Sequence, residues 1–122
     1  MKNQKNLILE FNNCINKRDT EEISSLMDED YVFIDSENNM EKGKQNGIVS
    51  WKGFFAHFPD YRNVFEKIIV KRDIVIVLGH SVCSNKMLDG KAIWTAKVKN
   101  GKIKEWRVYE DTLENRKKLK LS

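Results

Sequence analysis

At 122 residues, with 40% hydrophobic and 33% charged side chains and a formal charge of +4, the chain can build one core and not two. One proline, six glycines and twelve aromatics exclude collagen-like, low-complexity and wholly disordered classes. No apolar run approaches the roughly 20 residues that span a bilayer, and the short Leu7-Ile8-Leu9 stretch is no export signal. A reduced, cytoplasmic protein is expected, with Cys14 and Cys83 far apart and in no metal-ligand spacing.

Leu7, Phe11, Cys14 and Ile15 recur at helical spacing and predict an amphipathic first helix, broken at Asn16-Lys17-Arg18. Asp19, with Glu22 three residues on, reads as the N-cap of a short second helix that buries Ile23, Leu26 and Met27 and ends at Asp28-Glu29-Asp30. Tyr31 to Asp35 is rich in β-branched and aromatic residues and predicts a strand, with Tyr31, Phe33 and Asp35 on one face and Val32 and Ile34 on the other. Ser36 to Lys42 reads as a polar loop. A third helix follows over Lys44 to His57, ended by Pro59.

Four strands complete the body: Tyr61 to Val70, Ile74 to Ser84, Lys91 to Lys99 and Lys102 to Thr112. Asn100-Gly101 between the last two is a strong hairpin signal. Helices segregated before a meander predict an α+β fold: one cone-shaped, strongly curved antiparallel sheet wrapped around three N-terminal helices, with an open end suited to a small molecule. Leu113 to Ser122 carries a net charge of +3 and the other 112 residues only +1, so the basic balance belongs to a tail and is no nucleic-acid footprint. The chain therefore reads as one domain over residues 1–122, ending in a solvated, dispensable basic tail over 113–122.

Several stretches carry a family resemblance: Asn16-Lys17-Arg18-Asp19, Phe58-Pro59-Asp60-Tyr61, Arg72-Asp73-Ile74-Val75, and Asn100 to Ile103 followed by Trp106 to Asp111. In that order and spacing they resemble the nuclear transport factor 2-like (NTF2-like, cystatin-like) superfamily, and within it the SnoaL-like proteins. The superfamily hosts isomerases, cyclases, hydrolases, dehydratases and non-catalytic binders, so membership alone assigns no reaction.

The resemblance implies that the face of the last strand bearing Arg107, Tyr109 and Asp111 looks into the cone. In limonene-epoxide-hydrolase-like members, the aspartate ending this motif is a catalytic acid/base. Asp111 is accordingly expected in the cavity, with a pKa raised by burial and pulled back by Arg107. His80 lies on an apolar strand in phase with Ile76, Leu78 and Val82 and is expected in the same cavity, where a His–carboxylate pair could shuttle a proton. The position of Asp35 resembles that of the general base of ketosteroid isomerases. By the same resemblance Phe11 and Trp94 occupy the places of that enzyme's oxyanion donors, which argues against steroid isomerisation. Asp35 could equally start a loop through local backbone hydrogen bonds.

The aromatics Tyr31, Phe33, Trp51, Phe55, Trp94 and Tyr109 are expected to line an apolar ligand pocket. Zinc-site, P-loop, dinucleotide and serine-hydrolase motifs are missing from the sequence, and no cofactor or metal is expected. Two readings follow: a small cofactor-independent acid/base enzyme acting on an apolar molecule, or a non-catalytic domain for ligand binding or dimerisation. A homodimer is expected, because the outward strand phases are read as carrying Val75, Val77, Ile93, Trp106 and Val108.

Overall fold

The computed structural model describes residues 3–121. Helix α1 (Gln4–Lys17) starts where the Asn3 side chain accepts from the Asn6 N–H, and it buries Leu7, Ile8, Phe11, Cys14 and Ile15. Arg18 adopts the left-handed conformation (φ 59°) and ends the helix. The Asp19 carboxylate accepts from the Glu22 N–H and starts α2 (Thr20–Ser25). Helix α3 (Lys44–His57) has the predicted limits. None of these helices is long and apolar enough to cross a membrane.

Six strands form one curved sheet in the order β2-β1-β6-β5-β4-β3. They are β1 (Met27–Ile34), β2 (Met40–Lys42), β3 (Arg62–Val70), β4 (Val75–Val82), β5 (Gly90–Lys99) and β6 (Lys102–Glu110). The β3-β4-β5-β6 meander is antiparallel, and Asn100 (φ 51°) with Gly101 (φ 76°) makes its last turn. Gly79 sits opposite a bulge between Phe65 and Lys67, where a Cβ would collide with the Val64 carbonyl oxygen.

Four expectations need correction. The acidic run Asp28-Glu29-Asp30 lies within β1 and does not end α2: the Leu26 carbonyl accepts from the Ile103 N–H, and Met27 pairs with Ile103. The supposed polar loop contains β2, which extends the sheet beyond β1. The β1–β6 pair is parallel, so the sheet is mixed. The last strand also stops at Glu110, short of Asp111.

The sheet's two faces are also exchanged in part relative to the sequence reading. Val75, Val77 and Trp106 belong to the core beneath the helices, and Val108 packs against it. Only Ile93, of the five residues read as an outward patch, lies on the outer phase, paired with Leu78 and Tyr109, and it is fully buried. The apolar patch that supported a homodimer is thus largely core.

The tail folds back as well. Thr112 caps a short helix, α4 (Leu113–Lys118). The Asn115 amide donates to the Glu110 carbonyl (2.8 Å), and Lys71 Nζ donates to the Leu119 carbonyl (3.4 Å).

Candidate functional site

The helices and the inner face of the sheet leave a cavity of about 290 Å³. This is at the small end of the roughly 300–1,000 Å³ typical of ligand pockets. Strand β1 supplies Tyr31 and Phe33, with Asp35 just beyond its end; β5 supplies Trp94; β6 supplies Trp106 and Val108. Helix α3 closes the other side with Ser50, Trp51 and Phe54. Phe65 braces the floor, its ring 5.0 Å from that of Trp94. Gly47 lets α3 approach β1, since a Cβ there would lie 2.8 Å from the Tyr31 ring.

Polar groups sit at two places in this largely apolar wall. At one, the Tyr61 hydroxyl meets Ser81 Oγ (3.1 Å), and Ser81 donates to Asn63 Oδ1 (2.8 Å). This network is closed on itself. It is anchored from α1, where Asn16 Oδ1 accepts from the Asn63 N–H and Asn16 Nδ2 donates to the Asn63 carbonyl, both at 2.9 Å. Arg18 adds a bond to the Tyr61 carbonyl at 2.8 Å. The conspicuous Asn16-to-Arg18 turn therefore docks the helix end onto β3.

The second polar place is open. Tyr31 is 1% exposed, and its hydroxyl has no hydrogen-bond partner among the described residues. Burial pushes its phenol well above the ordinary range. The Trp51 indole N–H, aimed toward the phenol oxygen, offsets part of this, and the Glu41 charge opposes ionisation further. Tyr31 is therefore a neutral donor at neutral pH. Glu41 faces the cavity because it pairs with Phe33 across the β1–β2 ladder. Its Oε2 accepts from the Ser50 hydroxyl (2.7 Å), while Oε1 is buried without a partner among the described residues. One free donor and one free acceptor thus stand in the same wall.

The fold and cavity can be compared with known proteins. A family model described as SnoaL-like domain matches residues 8–106. The chain belongs to the SnoaL-like family. Its fold matches an NTF2-like protein of unknown function from Cytophaga hutchinsonii (TM-score 0.74, 18% identity, 98% of each chain covered). It also matches a candidate SnoaL-like polyketide cyclase from Shewanella putrefaciens (TM-score 0.77, 15% identity, 100% and 88% covered). A candidate ketosteroid isomerase from Kribbella flavida is similar too (TM-score 0.73, 13% identity, 87% and 76% covered). Among proteins with curated descriptions, none matches the chain at a significant level.

Within this SnoaL-like fold, Tyr31, Phe33, Asp35, Trp51 and Trp94 come together in the cavity wall. Asp35 makes the local bonds of a turn: Oδ1 accepts from the N–H groups of Glu37 and Asn39, and Oδ2 from the Asn39 amide. Burial works to raise its pKa, yet these hydrogen bonds outweigh it and hold the carboxyl below its usual range.

Other expected site residues lie elsewhere. Phe55 packs in the core, stacked on Trp51 at 5.4 Å. Tyr109 is on the outer face beneath the Arg107 guanidinium. His80, in phase with Ile76 on that outer face, meets Glu66 at 3.4 Å and lines no part of the cavity.

Asp111 is also outside the cavity wall. Its carboxylate is held by Arg116 through Nε (2.6 Å) and Nη2 (2.9 Å). Those bonds lower its pKa, the reverse of the expected rise. The cause is local: the strand ends one residue before Asp111, and α4 brings Arg116 back to it.

Glu41 and Ser50 escaped the sequence reading. The signal was faint, a single Glu in a three-residue strand recognisable only from its pairing with β1. The two thiols stay structural: burial, first among several causes, pushes Cys14 up to about 11, and Cys83 Sγ donates to Asp60.

Proposed function

We propose that the cone cavity binds a small, largely apolar molecule carrying a hydrogen-bond acceptor for Tyr31 and a donor or acidic proton for Glu41. On it, the chain carries out cofactor-independent proton transfer of the isomerase, cyclase or hydrolase type. The observation that carries this reading is the pair of buried, unpartnered polar atoms, the Tyr31 hydroxyl and Glu41 Oε1, in one aromatic wall. A buried polar atom without a partner costs roughly 1–3 kcal/mol, and a ligand that completes both bonds would recover it. The names of the fold's cyclase-like and isomerase-like neighbours accord with this chemistry.

In this reading Glu41 is the base, with Ser50 fixing its carboxylate. Tyr31 donates to the oxygen on which negative charge develops. Asp35, whose oxygens are already occupied, orders the cavity mouth. A homodimer also belongs to the proposal, and sedimentation at micromolar concentration giving the 14.4 kDa monomer would remove it.

The test is a thermal-shift and native mass spectrometry screen of small cyclic ketones and hydroxyketones against hydrocarbons of equal size, followed by product analysis. The proposal expects oxygenated binders, conversion of at least one, and conversion lost in Glu41→Gln with binding kept. Binding with no conversion of any compound would favour the non-catalytic domain. Equal binding of the hydrocarbons would overturn the role of the polar pair.

A further inference from the structure

A second cavity, of about 310 Å³, lies between the outer face of the sheet and α4. We propose that this cleft binds a small oxyanion, the phosphate or carboxylate group of a molecule distinct from the cone's ligand. Its polar wall consists of Ser36, Asn38, Arg107, Tyr109, Asn115 and Lys118, with no carboxylate among them.

The two arginines nearest the C-terminus differ sharply. Arg116 is neutralised by a bidentate pair with Asp111. Arg107 has no carboxylate within ion-pair distance among the described residues. Its guanidinium carbon sits 4.6 Å above the Tyr109 ring centre, Nη2 donates to Asn38 Oδ1, and Nε is buried with no partner. Beside it in the ladder, Thr95 is fully buried and its hydroxyl is also unpartnered. Across the cleft, Lys118 has only a loose, exposed pairing with Glu114 at 3.9 Å.

A guanidinium already fixed over a ring and by an amide loses little freedom when it takes an oxyanion. With two amides in the wall and Lys118 opposite, only loosely paired with Glu114, charge-assisted bonds can form at Arg107 without first displacing a carboxylate. The chain's surplus charge lies in the tail, and folding the tail back places one of those charges, Lys118, in the cleft wall. The cleft also touches the first site. Ser36 and Val108 line both cavities, and Asn38, in the left-handed region (φ 67°), belongs to the turn that carries Asp35.

The experiment is a titration of the whole chain with sodium phosphate, sodium acetate and sodium chloride at constant ionic strength. It is read from the side-chain amide resonances of Asn38 and Asn115 and the Arg107 Nε resonance. Saturation is expected with phosphate or acetate at about 1–10 mM and none with chloride. The arm that saturates identifies the group. Arg107→Met should weaken binding at least ~10-fold, as expected for loss of a charged hydrogen-bond donor, and Lys118→Glu about 3-fold or more, as expected for reversing an exposed charge beside the anion. Lys118 is exposed, so Lys118→Glu keeps the test decisive if Arg107→Met does not fold. A linear response, an equal response to chloride, or unchanged saturation in a folded Arg107→Met or in Lys118→Glu would overturn the proposal.

Discussion

The two faces of the one sheet share the same alternation and meet different fates. The inner face carries Tyr31, Phe33, Trp94 and Trp106 against three helices, and there the aromatic side chains leave a cavity with two unsatisfied polar atoms. The outer face carries Ile76, Ile93 and Thr95, each at most 1% exposed, beside the charged Arg107 and the returning tail. The inner cavity is walled mainly by aromatic rings, whereas the space on the outer side lies not between the β-branched residues but between β6 and the returning α4, and its wall is mainly polar. The difference teaches that the inner cavity is a gap among packed aromatic side chains, whereas the outer cleft is made by the tail folding back over a closely packed β-branched layer.

The inner face should be the more sensitive. Phe11 is fully buried, edge-on to Trp106 at 5.0 Å, so Phe11→Ala should cost about 3–5 kcal/mol in denaturant unfolding. On the outer face, Ile93→Ala should still cost about 2–4 kcal/mol. A loss under about 1 kcal/mol there would mean that this face is not a packed layer in the monomer and would break the comparison. Between the two in kind, Asn16→Ala removes both bonds to the Asn63 backbone and should cost about 1–3 kcal/mol, because a buried amide loses its partner.

The smallest effect concerns the tail. Asp111 titrates low in the folded state because Arg116 holds its charged form, so its contribution exists above the usual carboxylate pKa and fades as pH falls through the folded value. Asp111→Asn should therefore melt a few degrees lower than wild type at pH 7, and the gap should begin to shrink near pH 4 and close once the pH falls below the lowered folded value. A gap that widened in acid would contradict the pairing.

What was legible in the sequence was local. The α1 stripe, the Asp19 cap, the limits of α3 and the Asn100-Gly101 hairpin each depend on residues a few positions apart. So does the face shared by Tyr31, Phe33 and Asp35. What was not legible depends on distant pairing. Strand β2 has three residues and shows itself only against β1, and the parallel β1–β6 pair joins segments some 70 positions apart.

Alternation also does not say which phase faces inward. Val75 and Val77 alternate with Ile76 and Leu78, apolar on both sides, so nothing local decides. On β6 the local contrast of Trp106 and Val108 with Arg107 and Tyr109 pointed correctly, and the resemblance of the closing motif overrode it. Asp111 lies outside the cavity for a different reason: its partner Arg116 belongs to the tail, and nothing in the tail's composition shows that it folds back. Of the aromatics expected in the cavity wall, Tyr31, Phe33, Trp51 and Trp94 line it and Phe55 and Tyr109 do not, while Glu41 and Ser50 carry no local signal that would place them there.

The central claim is that the Tyr31 hydroxyl serves a ligand and not the fold. Tyr31→Phe keeps the ring, which packs against Gly47, and removes only the unpartnered oxygen. The decisive measurement is the unfolding free energy of this variant in the absence of ligand. It should equal that of wild type or exceed it by up to about 1 kcal/mol, since a desolvated hydroxyl with no partner is relieved. A loss of more than about 1 kcal/mol would show that the hydroxyl is bonded within the fold, and would contradict the account.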